Sequence, residues 1–347
     1  MLHWRNGGVL AALGAAILFG VGTPLAKMLL GQATPWLLAG LLYLASGLGL
    51  AVTRVIGRRH TPRLSLRDTS WLLGATASGG IIAPVLLMWG LTNTPASGAS
   101  LLLNAEGVFT ALIAWFVFRE NFDRRIAVGM ALIVAGAVIL SWPDSQRLSA
   151  PMPALAVIAA CLFWALDNNL TRNVALTDAT FIAMVKGLVA GPVNLVLAFA
   201  LGAALPEWSI VLGAGLVGFF SYGLSLMLFV VALRHLGTAR TGAYFSTAPF
   251  AGALVAVTFL GEPITVQLAL AGFLMAAGVW LHLTERHEHL HTHEPLEHEH
   301  SHEHDEHHAH PHPEPVVPGT RHSHRHRHEQ LTHTHPHFPD EHHRHEH

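Results

Sequence analysis

Ionisable side chains inside apolar sequence are the first candidates for chemistry in this chain. The long apolar blocks hold four of them, Lys27, Glu106, Asp167 and Lys186. A charge at the middle of a bilayer costs roughly 2.5 to 3.5 kcal/mol on insertion scales, so such residues are rare and mark functional sites by default. Glu106 stands about halfway along its block, beside Asn104 in LLNAEGVF. Because burial disfavours the charged form of a carboxyl group, Glu106 could take up and release a proton as a cavity opens to either side.

Glu106 has two interpretations. In the first, it contacts a substrate or couples the movement of a substrate to that of a proton. In the second, it is permanently paired with Lys27 or Lys186 and only holds helices together, since a buried charge needs a partner. The general rule for charges inside membranes favours the first interpretation, and this is the one we predict.

The second candidate for chemistry is a run of alternating histidines, EHEHSHEHDEHHAHPH, at residues 297–312. Imidazole nitrogens bind zinc, nickel, cobalt and copper, and neighbouring carboxylates add oxygen ligands. A flexible chain of this kind can wrap three or four imidazoles around one ion, with an affinity that weakens below about pH 6.5, where imidazole protonates. The predicted ligands for a divalent ion (Zn, Ni, Co or Cu) are His298, His300, His302, His304, His307, His308, His310 and His312.

The region around these histidines differs sharply from the rest of the chain. Of the 27 histidines, 23 lie at or after His287; residues 284–347 have a formal charge of −8, against +6 for the body. Large apolar residues are too few there to offset the entropy of ordering, which predicts a disordered tail over residues 284–347. Two H-E-x-x-H matches, at 287–291 and 298–302, are expected wherever His and Glu alternate. They predict no protease, because that motif requires a helix within a shaped cleft.

The body consists of apolar blocks about 20 residues long, and a helix of that length crosses a hydrocarbon core of about 30 Å. This pattern predicts an all-α integral membrane protein embedded in the lipid bilayer. The single cysteine, Cys161, excludes disulfides and cysteine-based zinc sites. Ten transmembrane helices are predicted, over residues 8–30, 36–56, 70–90, 95–118, 124–141, 153–172, 179–204, 208–233, 238–260 and 264–283.

Positive charges are distributed unequally between the loops that join these helices. If the N-terminus is cytoplasmic, the inner loops hold 13 arginines, whereas the outer side holds Arg147 and, near the outer end of the first helix, Lys27. Loops rich in Lys and Arg stay on the cytoplasmic side. We therefore predict that both termini, and with them the tail, lie in the cytoplasm.

The body also contains an internal repeat. Residues 91–120 align with 233–262 at an offset of 142, and AAILFG (15–20) aligns with AACLFW (159–164) at an offset of 144. Near-equal offsets indicate two halves of five helices each. Because five is odd, the second half enters the membrane from the opposite face, an inverted repeat typical of secondary transporters, whose sites lie between the halves. The predicted repeats are residues 7–141 and 153–283.

Both halves share a layout that resembles a known family. Each has a long apolar helix that ends in glutamate (FRE, 118–120; LGE, 260–262) and then a helix rich in small residues (VGMALIVAGAVIL, 128–140; LALAGFLMAAGVWL, 268–281). The body is similar in this layout to the EamA branch of the drug/metabolite transporter superfamily. The resemblance implies export or exchange of small polar metabolites, such as amino acids, across a bacterial inner membrane.

The fourth helix of each half shows one departure from the family pattern. Pro249 supplies the usual mid-helix proline in the second half, whereas Glu106 and Gly107 stand in the equivalent region of the first. The candidate site is therefore taken from the residues of this chain.

Polar interruptions add further candidates for the site. Asp167 and Asn168 in the sixth helix align through the repeat with Thr23 and Pro24 in the first. Pro24 frees a backbone carbonyl, while Asp167 and Asn168 offer side-chain donors and acceptors. Corresponding interruptions in two halves point to a transporter's binding site; the alternative is that the polar pair is hydrated near the cytoplasmic end. Lys186, one-third of the way along the seventh helix, either lines the site or snorkels to the surface.

Taken together, these features predict a transporter and not an enzyme. The chain has no G-x-x-x-x-G-K-[ST] motif for ATP, requires no cofactor, and offers no folded soluble domain for nucleic acid; its oligomeric state is left open. In the first hypothesis the body exports a small-molecule metabolite and the tail binds divalent metal ions. In the second, the body exports divalent nickel, cobalt or zinc that the tail collects. We favour the first because the predicted helices hold no histidine in mid-membrane.

Overall fold

The structure is a computed structural model that separates into two compact units, Met1–Glu285 and Arg286–His347, and each is described by itself. Among the described residues, the regular structure of the first unit is helical and strands occur only in the second. The described residues are 2–58, 62, 64–117, 124–142, 152–174, 177–284, 288–293, 297–302, 322–327 and 331–336.

The first unit contains the apolar helices that the sequence predicts. Within the described part of the chain, eight helical segments are long and apolar enough to cross a membrane, and two shorter apolar helices, Ala127–Ser141 and Val266–Leu281, end the two halves. The predicted fold class, two five-helix repeats of an all-α membrane protein, is confirmed. The α-helices are α1 (Leu2–Leu29), α2 (Pro35–Ile56), α3 (Leu66–Ala75), α4 (Ala83–Asn93), α5 (Ala96–Leu102), α6 (Ala105–Phe116), α7 (Arg124–Ser141), α8 (Met152–Arg172), α9 (Ala179–Ala200), α10 (Trp208–Val217), α11 (Ser225–Phe245), α12 (Ala248–Phe259) and α13 (Val266–Leu283).

The bundle has two ends, which we name after the basic residues at them. At the Lys27 end, α1 finishes and α2 begins; at the Arg54 end, α2 finishes and α9 begins. Arg54 of α2 donates to the Asp178 carboxylate, the N-cap of α9, at 2.6 Å. A carboxylate at a helix start and a buried arginine (5 % exposed) thus join the second spans of the two halves.

A π-helix interrupts the third span of each half. The first, π1 (Thr76–Ile82), lies between α3 and α4, and the second, π2 (Gly218–Leu224), lies between α10 and α11. They are 142 positions apart, the same offset as the longer sequence repeat. Single π turns inside α-helices are rare and are frequent at functional sites. The two halves therefore share even their irregular elements.

The fourth span of each half is a broken helix, where the sequence predicts a continuous one. Residues 103–104 separate α5 from α6, and residues 246–247 separate α11 from α12. In the second half, Pro249 lies in the first turn of α12, where its missing N–H is tolerated. In the first half, the Asn104 side chain donates to the Leu101 carbonyl at 3.1 Å and so competes with the helical backbone bond. Broken helices at membrane depth are tolerated where they are buried in protein or line a cavity.

The eighth and ninth predicted helices are joined by residues that are themselves helical. The sequence predicts that the eighth helix ends at residue 233 and the ninth starts at 238, and the two apolar spans Trp208–Leu236 and Thr241–Phe259 separate at the same place. The backbone stays helical through this connection, since α11 runs from Ser225 to Phe245. Arg234 and His235 are exposed there.

Glycines bring α2 and α9, the second spans of the two halves, into backbone contact. A Cβ placed on Gly187 would lie 2.4 Å from the Gly47 nitrogen, and one on Gly191 would lie 2.5 Å from the Leu44 nitrogen. Gly47 and Gly191 are related by the repeat offset of 144, so the contact follows the symmetry of the two halves. Small residues are what allow membrane helices to approach this closely.

The second unit differs from the disordered tail that the sequence predicts. Four described strands, β1 (Glu288–His293), β2 (Glu297–His302), β3 (His322–Arg327) and β4 (Leu331–Pro336), form two antiparallel pairs, β1 with β4 and β2 with β3. The prediction of a tail without regular structure is wrong for these segments. It considered only the burial of apolar side chains, whereas an antiparallel pair is built from backbone hydrogen bonds that do not depend on composition.

The contact between α2 and α9 yields a stability prediction. Gly187→Ala should lower the free energy of unfolding by about 1 to 3 kcal/mol, because an added methyl group in a filled contact forces backbone movement. Gly215→Ala is the matched control, since a Cβ there meets nothing within 4 Å, and it should leave stability unchanged or raise it. Thermal unfolding of the purified protein in detergent measures both, and equal melting temperatures would contradict the proposed close contact.

Candidate functional site

A cavity lies between the two halves, lined by side chains from both. Its polar lining comes from Glu106 on α6, Asp167 and Asn168 on α8, Ser221 in π2 and Ser225 on α11. The remaining lining is largely aromatic. The aromatic lining residues are Phe19, Tyr43, Trp164, Tyr222, Phe229 and Phe245.

Glu106 is placed in the cavity by the break in the fourth span. It lies in the first turn of α6, where a negative charge interacts favourably with the helix dipole. Its carboxylate accepts a hydrogen bond of 2.7 Å from the Asn168 side-chain amide, and the residue is half-buried. Glu106 and Asn168, two residues that the sequence singled out separately, therefore meet across the boundary between the halves.

Asp167 and Lys186 form a buried ion pair at 2.5 Å. Lys186 also donates to the Thr171 hydroxyl at 2.7 Å, and this hydroxyl donates to the Asp167 carboxylate at 2.8 Å. Asp167 is 6 % exposed and Lys186 is 1 % exposed. The three hydrogen bonds among Asp167, Thr171 and Lys186 thus compensate both charges, as a buried pair requires.

These contacts differ from those that the ion-pair interpretation of Glu106 requires. Lys186 is engaged by Asp167, and Lys27 donates to the backbone carbonyls of Leu91, Thr92 and Thr94. Within the described residues, the hydrogen-bond partner of the Glu106 carboxylate is a neutral amide. When it is ionised, the cavity therefore carries one negative charge that no lysine compensates.

The aromatic side chains form a continuous wall. Phe19 lies 5.5 Å from Trp164, 6.0 Å from Tyr222 and 5.4 Å from Phe245, measured between ring centroids, and Tyr43 lies 5.5 Å from Tyr222. Aromatic rings offer apolar area and a negative face that attracts cations. Together with Glu106, this wall can hold a ligand that has a cationic group and an apolar body.

The wall is anchored to π1 by hydrogen bonds. Tyr43 Oη and Trp164 Nε1 both donate to the Gly79 carbonyl, at 2.7 and 3.0 Å. A Cβ on Gly79 would lie 1.9 Å from Asp167 Oδ2, so only glycine fits against the ion pair. Asn194 donates to the next carbonyl, that of Gly80, at 3.2 Å. The irregular turn thus supplies acceptors that position the aromatic wall and leaves room for Asp167.

The other predicted site residues lie away from the cavity lining. Asn104 is buried in the break between α5 and α6, with its amide also 3.7 Å from Met275 Sδ. Thr23 is buried in α1, and Pro24 lies inside the same helix. Lys27 is at the end of the bundle and Lys186 is behind Asp167. The cavity therefore collects Glu106, Asp167 and Asn168 of the eight candidates.

The sequence reasoning missed the aromatic wall entirely. The only available signal was position, because Trp164, Tyr43 and Tyr222 lie in the middle of apolar blocks, away from the interfacial ends where membrane tryptophans and tyrosines concentrate. Position alone does not separate a residue that faces a cavity from one that faces lipid.

The predicted metal ligands belong to the second unit. His298, His300 and His302 lie on β2, and their Cα partners on β3 are His326, His324 and His322. No group of three or more His, Cys, Asp or Glu side chains that could hold a metal ion occurs among the residues described. The remaining predicted ligands, His304, His307, His308, His310 and His312, lie outside the described residues.

The chain is similar to known transporters in sequence and to a solved structure in fold. The EamA-like transporter family matches residues 6–142 and 151–284, which are the two helical halves. An uncharacterized transporter of Methanothermobacter thermautotrophicus is 31% identical over 296 residues, covering 80% of this chain and 86% of the relative. A solved crystal structure with 18% sequence identity matches with a TM-score of 0.64, covering 80% of this chain and 98% of that one, which supports the fold.

Two further relatives have names that describe a transported compound. A Salmonella typhimurium protein named "Probable amino-acid metabolite efflux pump" is 25% identical over 281 residues, covering 71% of this chain and 93% of the relative. A Streptantibioticus cattleyicolor protein named "Probable terminal-alkyne amino-acid exporter" is 26% identical over 249 residues, covering 67% of this chain and 79% of the relative.

The buried ion pair yields a second stability prediction. Asp167→Asn should destabilise the protein by about 3 to 5 kcal/mol, because it leaves the Lys186 ammonium buried without a counter-charge. Adding Lys186→Met should restore most of that loss, since the double variant buries no charge. Thermal unfolding in detergent compares the two. A single variant that is no less stable than the double variant would show that the pair is not electrostatically coupled.

Proposed function

Because the chain belongs to the EamA-like transporter family, we propose that it exports small polar organic metabolites, amino acids or compounds like them, through the cavity at Glu106. The observation that carries this proposal is the Glu106 carboxylate, which has a neutral amide as its partner and a wall of aromatic rings beside it. A carboxylate of this kind binds an ammonium group, and the rings contact the apolar part of the substrate. The names of the two amino-acid exporters support the same class of compound and the same direction.

Recognition of the rest of the substrate is assigned to neutral donors. An amino acid carries a carboxylate as well as an ammonium group, and the cavity offers the Asn168 amide and the Ser221 hydroxyl as hydrogen-bond donors. Lys186 is buried behind Asp167 and does not line the cavity. The proposed site therefore selects for the amino group by charge and for the remainder of the molecule by shape and hydrogen bonding.

Competition at Glu106 is the proposed basis of coupling. A single carboxylate can hold a proton or a substrate ammonium group, but not both. When the cavity faces the cytoplasm, the ionised Glu106 carboxylate binds the substrate. When the cavity faces the other side, protonation of Glu106 displaces the substrate. The protonated protein then turns its cavity back to the cytoplasm. One proton then enters for each substrate molecule that leaves. Inverted repeats generally give such alternating access, because one repeat moves against the other around a fixed site.

The proposed location is the inner membrane, with both termini in the cytoplasm. It is supported by the excess of arginine in the loops assigned to the cytoplasmic side. At this location, we propose that the histidine-rich tail binds divalent metal ions from the cytoplasm, where imidazole is mostly neutral and able to ligate. The organic substrate is favoured over the divalent metal, because the described residues that line the cavity offer carboxylates and aromatic rings and include no imidazole.

A transport assay tests the role of Glu106. In proteoliposomes that contain a mixture of radiolabelled amino acids, Glu106→Gln should lower proton-driven export by about 10-fold or more, as expected for loss of a charge-assisted bond of about 1.5 to 3 kcal/mol. Glu207→Gln is the matched control, because Glu207 is exposed and its side chain makes no cap hydrogen bond. Export that is unaffected by Glu106→Gln would exclude this carboxylate as the binding and coupling group.

Metal tolerance tests the tail and the alternative substrate together. Cells that express the full chain, a chain ending at Glu285 and Glu106→Gln are compared for accumulated nickel, cobalt and zinc. We expect the metal content to be unaffected by Glu106→Gln, because the body carries an organic substrate. A full chain that lowers cellular metal, combined with a Glu106→Gln variant that does not, would support metal export instead.

A further inference from the structure

The turn between α4 and α5, at the Lys27 end of the bundle, is held by two opposite charges. Glu262 follows α12 in the second half, and its carboxylate oxygens accept from the backbone N–H groups of Ala96 and Ser97 at 2.7 and 2.8 Å. Lys27 of α1 donates to the carbonyls of Leu91, Thr92 and Thr94 on the other side of the turn. The carboxylate meets backbone donors and the ammonium meets backbone acceptors, so both contacts are charge-assisted.

The hydrogen bonds of Glu262 join the two halves of the protein. Glu262 belongs to the second half and Ala96 to the first, 166 positions earlier in the chain. The Lys27 contacts remain within the first half. If the halves move against each other during transport, the Glu262 bonds must break, whereas the Lys27 bonds can persist.

Directly below this turn, α1, α5 and α12 pack closely against one another. A Cβ on Gly252 of α12 would lie 2.6 Å from the Ser100 hydroxyl of α5 and 2.7 Å from the Gly20 carbonyl of α1. Gly20 adjoins Phe19 of the aromatic wall. The three residues, which we call the seal, therefore lie between the cavity and the end of the bundle where Glu262 is bound.

The seal contains an unsatisfied polar atom. Ser100 Oγ is fully buried and has no hydrogen-bond partner among the described residues. Leaving a buried hydroxyl unpaired is unfavourable, and this cost is removed if the seal opens and water reaches it. The closed seal thus needs stabilisation from elsewhere. α5 is a short helix that leads from the Glu262 contact at Ala96 to Ser100, so the two bonds to Glu262 are placed to supply it.

We propose that Glu262 is the latch of a gate at the Lys27 end. Its two bonds to the start of α5 hold the seal of Gly20, Ser100 and Gly252 closed while the cavity is accessible from the Arg54 end. Release of Glu262 frees α5, hydrates Ser100 and opens the cavity to the Lys27 end. The inference requires that the chain is a transporter, and it does not depend on the proposed substrate or on proton coupling at Glu106.

Accessibility of a cysteine in the cavity tests the latch without any transport measurement. Cys161 is first replaced by Ala, and Ser221→Cys then serves as the probe. A membrane-impermeant charged maleimide is added to sealed vesicles of either orientation, and a separate Glu207→Cys variant identifies vesicles whose Lys27 end faces outward. Glu207 is exposed at that end, before α10.

We expect Glu262→Gln to change the end of the bundle from which the maleimide reaches Ser221→Cys. Glu262→Gln should raise labelling of Ser221→Cys from the Lys27 end by about 10-fold, the factor that corresponds to ~1.4 kcal/mol of lost bonding, and should lower labelling from the Arg54 end. Glu262→Asp keeps the charge but is too short to reach both N–H groups, so it should give an intermediate rate. Glu207→Gln should leave both rates unchanged.

Two results would overturn the proposal. The first is labelling from the Lys27 end that is the same in Glu262→Gln and in the parent. The second is labelling that rises equally from both ends, because that indicates general loosening of the bundle and not the release of one gate. If Glu262→Gln does not fold, the comparison rests on Glu262→Asp, for which an unchanged ratio between the two ends contradicts the latch.

Discussion

The cost of burying an unpaired charge is the constraint on which this structure depends. In a low-dielectric interior a charge must be compensated, and the bundle provides compensation for Lys186 through Asp167 and Thr171. Lys27 and Glu262 are compensated by the ends of helices, where backbone carbonyls and N–H groups are available. Glu106 differs, because its partner is the neutral amide of Asn168. Its charge is therefore left for a proton or a ligand to balance.

The inverted repeat supplies the frame, and departures from its symmetry supply the site. Both halves contain a π-helix in the third span and a break in the fourth, at equivalent positions. The side chains at these elements differ. The π1 carbonyls accept bonds from Tyr43, Trp164 and Asn194, which anchors one side of the cavity. The position of Gly79 is taken in π2 by Ser221, which faces the cavity. Equivalent backbones thus carry hydrogen-bond acceptors for the aromatic wall in one half and a cavity-facing hydroxyl in the other.

The histidine-rich region is separate from this frame in composition and in structure. Its described strands are paired with one another, and the Cα partners of three histidines on β2 are three histidines on β3. An antiparallel pair of this kind is built from backbone hydrogen bonds, so a histidine-rich sequence can form it without a hydrophobic core. Local backbone pairing, which a burial argument ignores, is the reason that the expected disorder is not found in these segments.

The sequence by itself determined the class of protein, the two repeats and the short set of buried charges, because hydropathy, internal offset and charge are properties of residues in order. It also identified Glu106, Asp167 and Asn168, which the cavity brings together. Only the tertiary structure decided which partner each charged group has, since Asn168 reaches Glu106 across 62 positions and the Ala96 N–H reaches Glu262 across 166. The aromatic wall was decided in the same way: an aromatic residue in an apolar helix can face lipid, a neighbouring helix or a cavity, and only the packing of ten segments against one another selects between them.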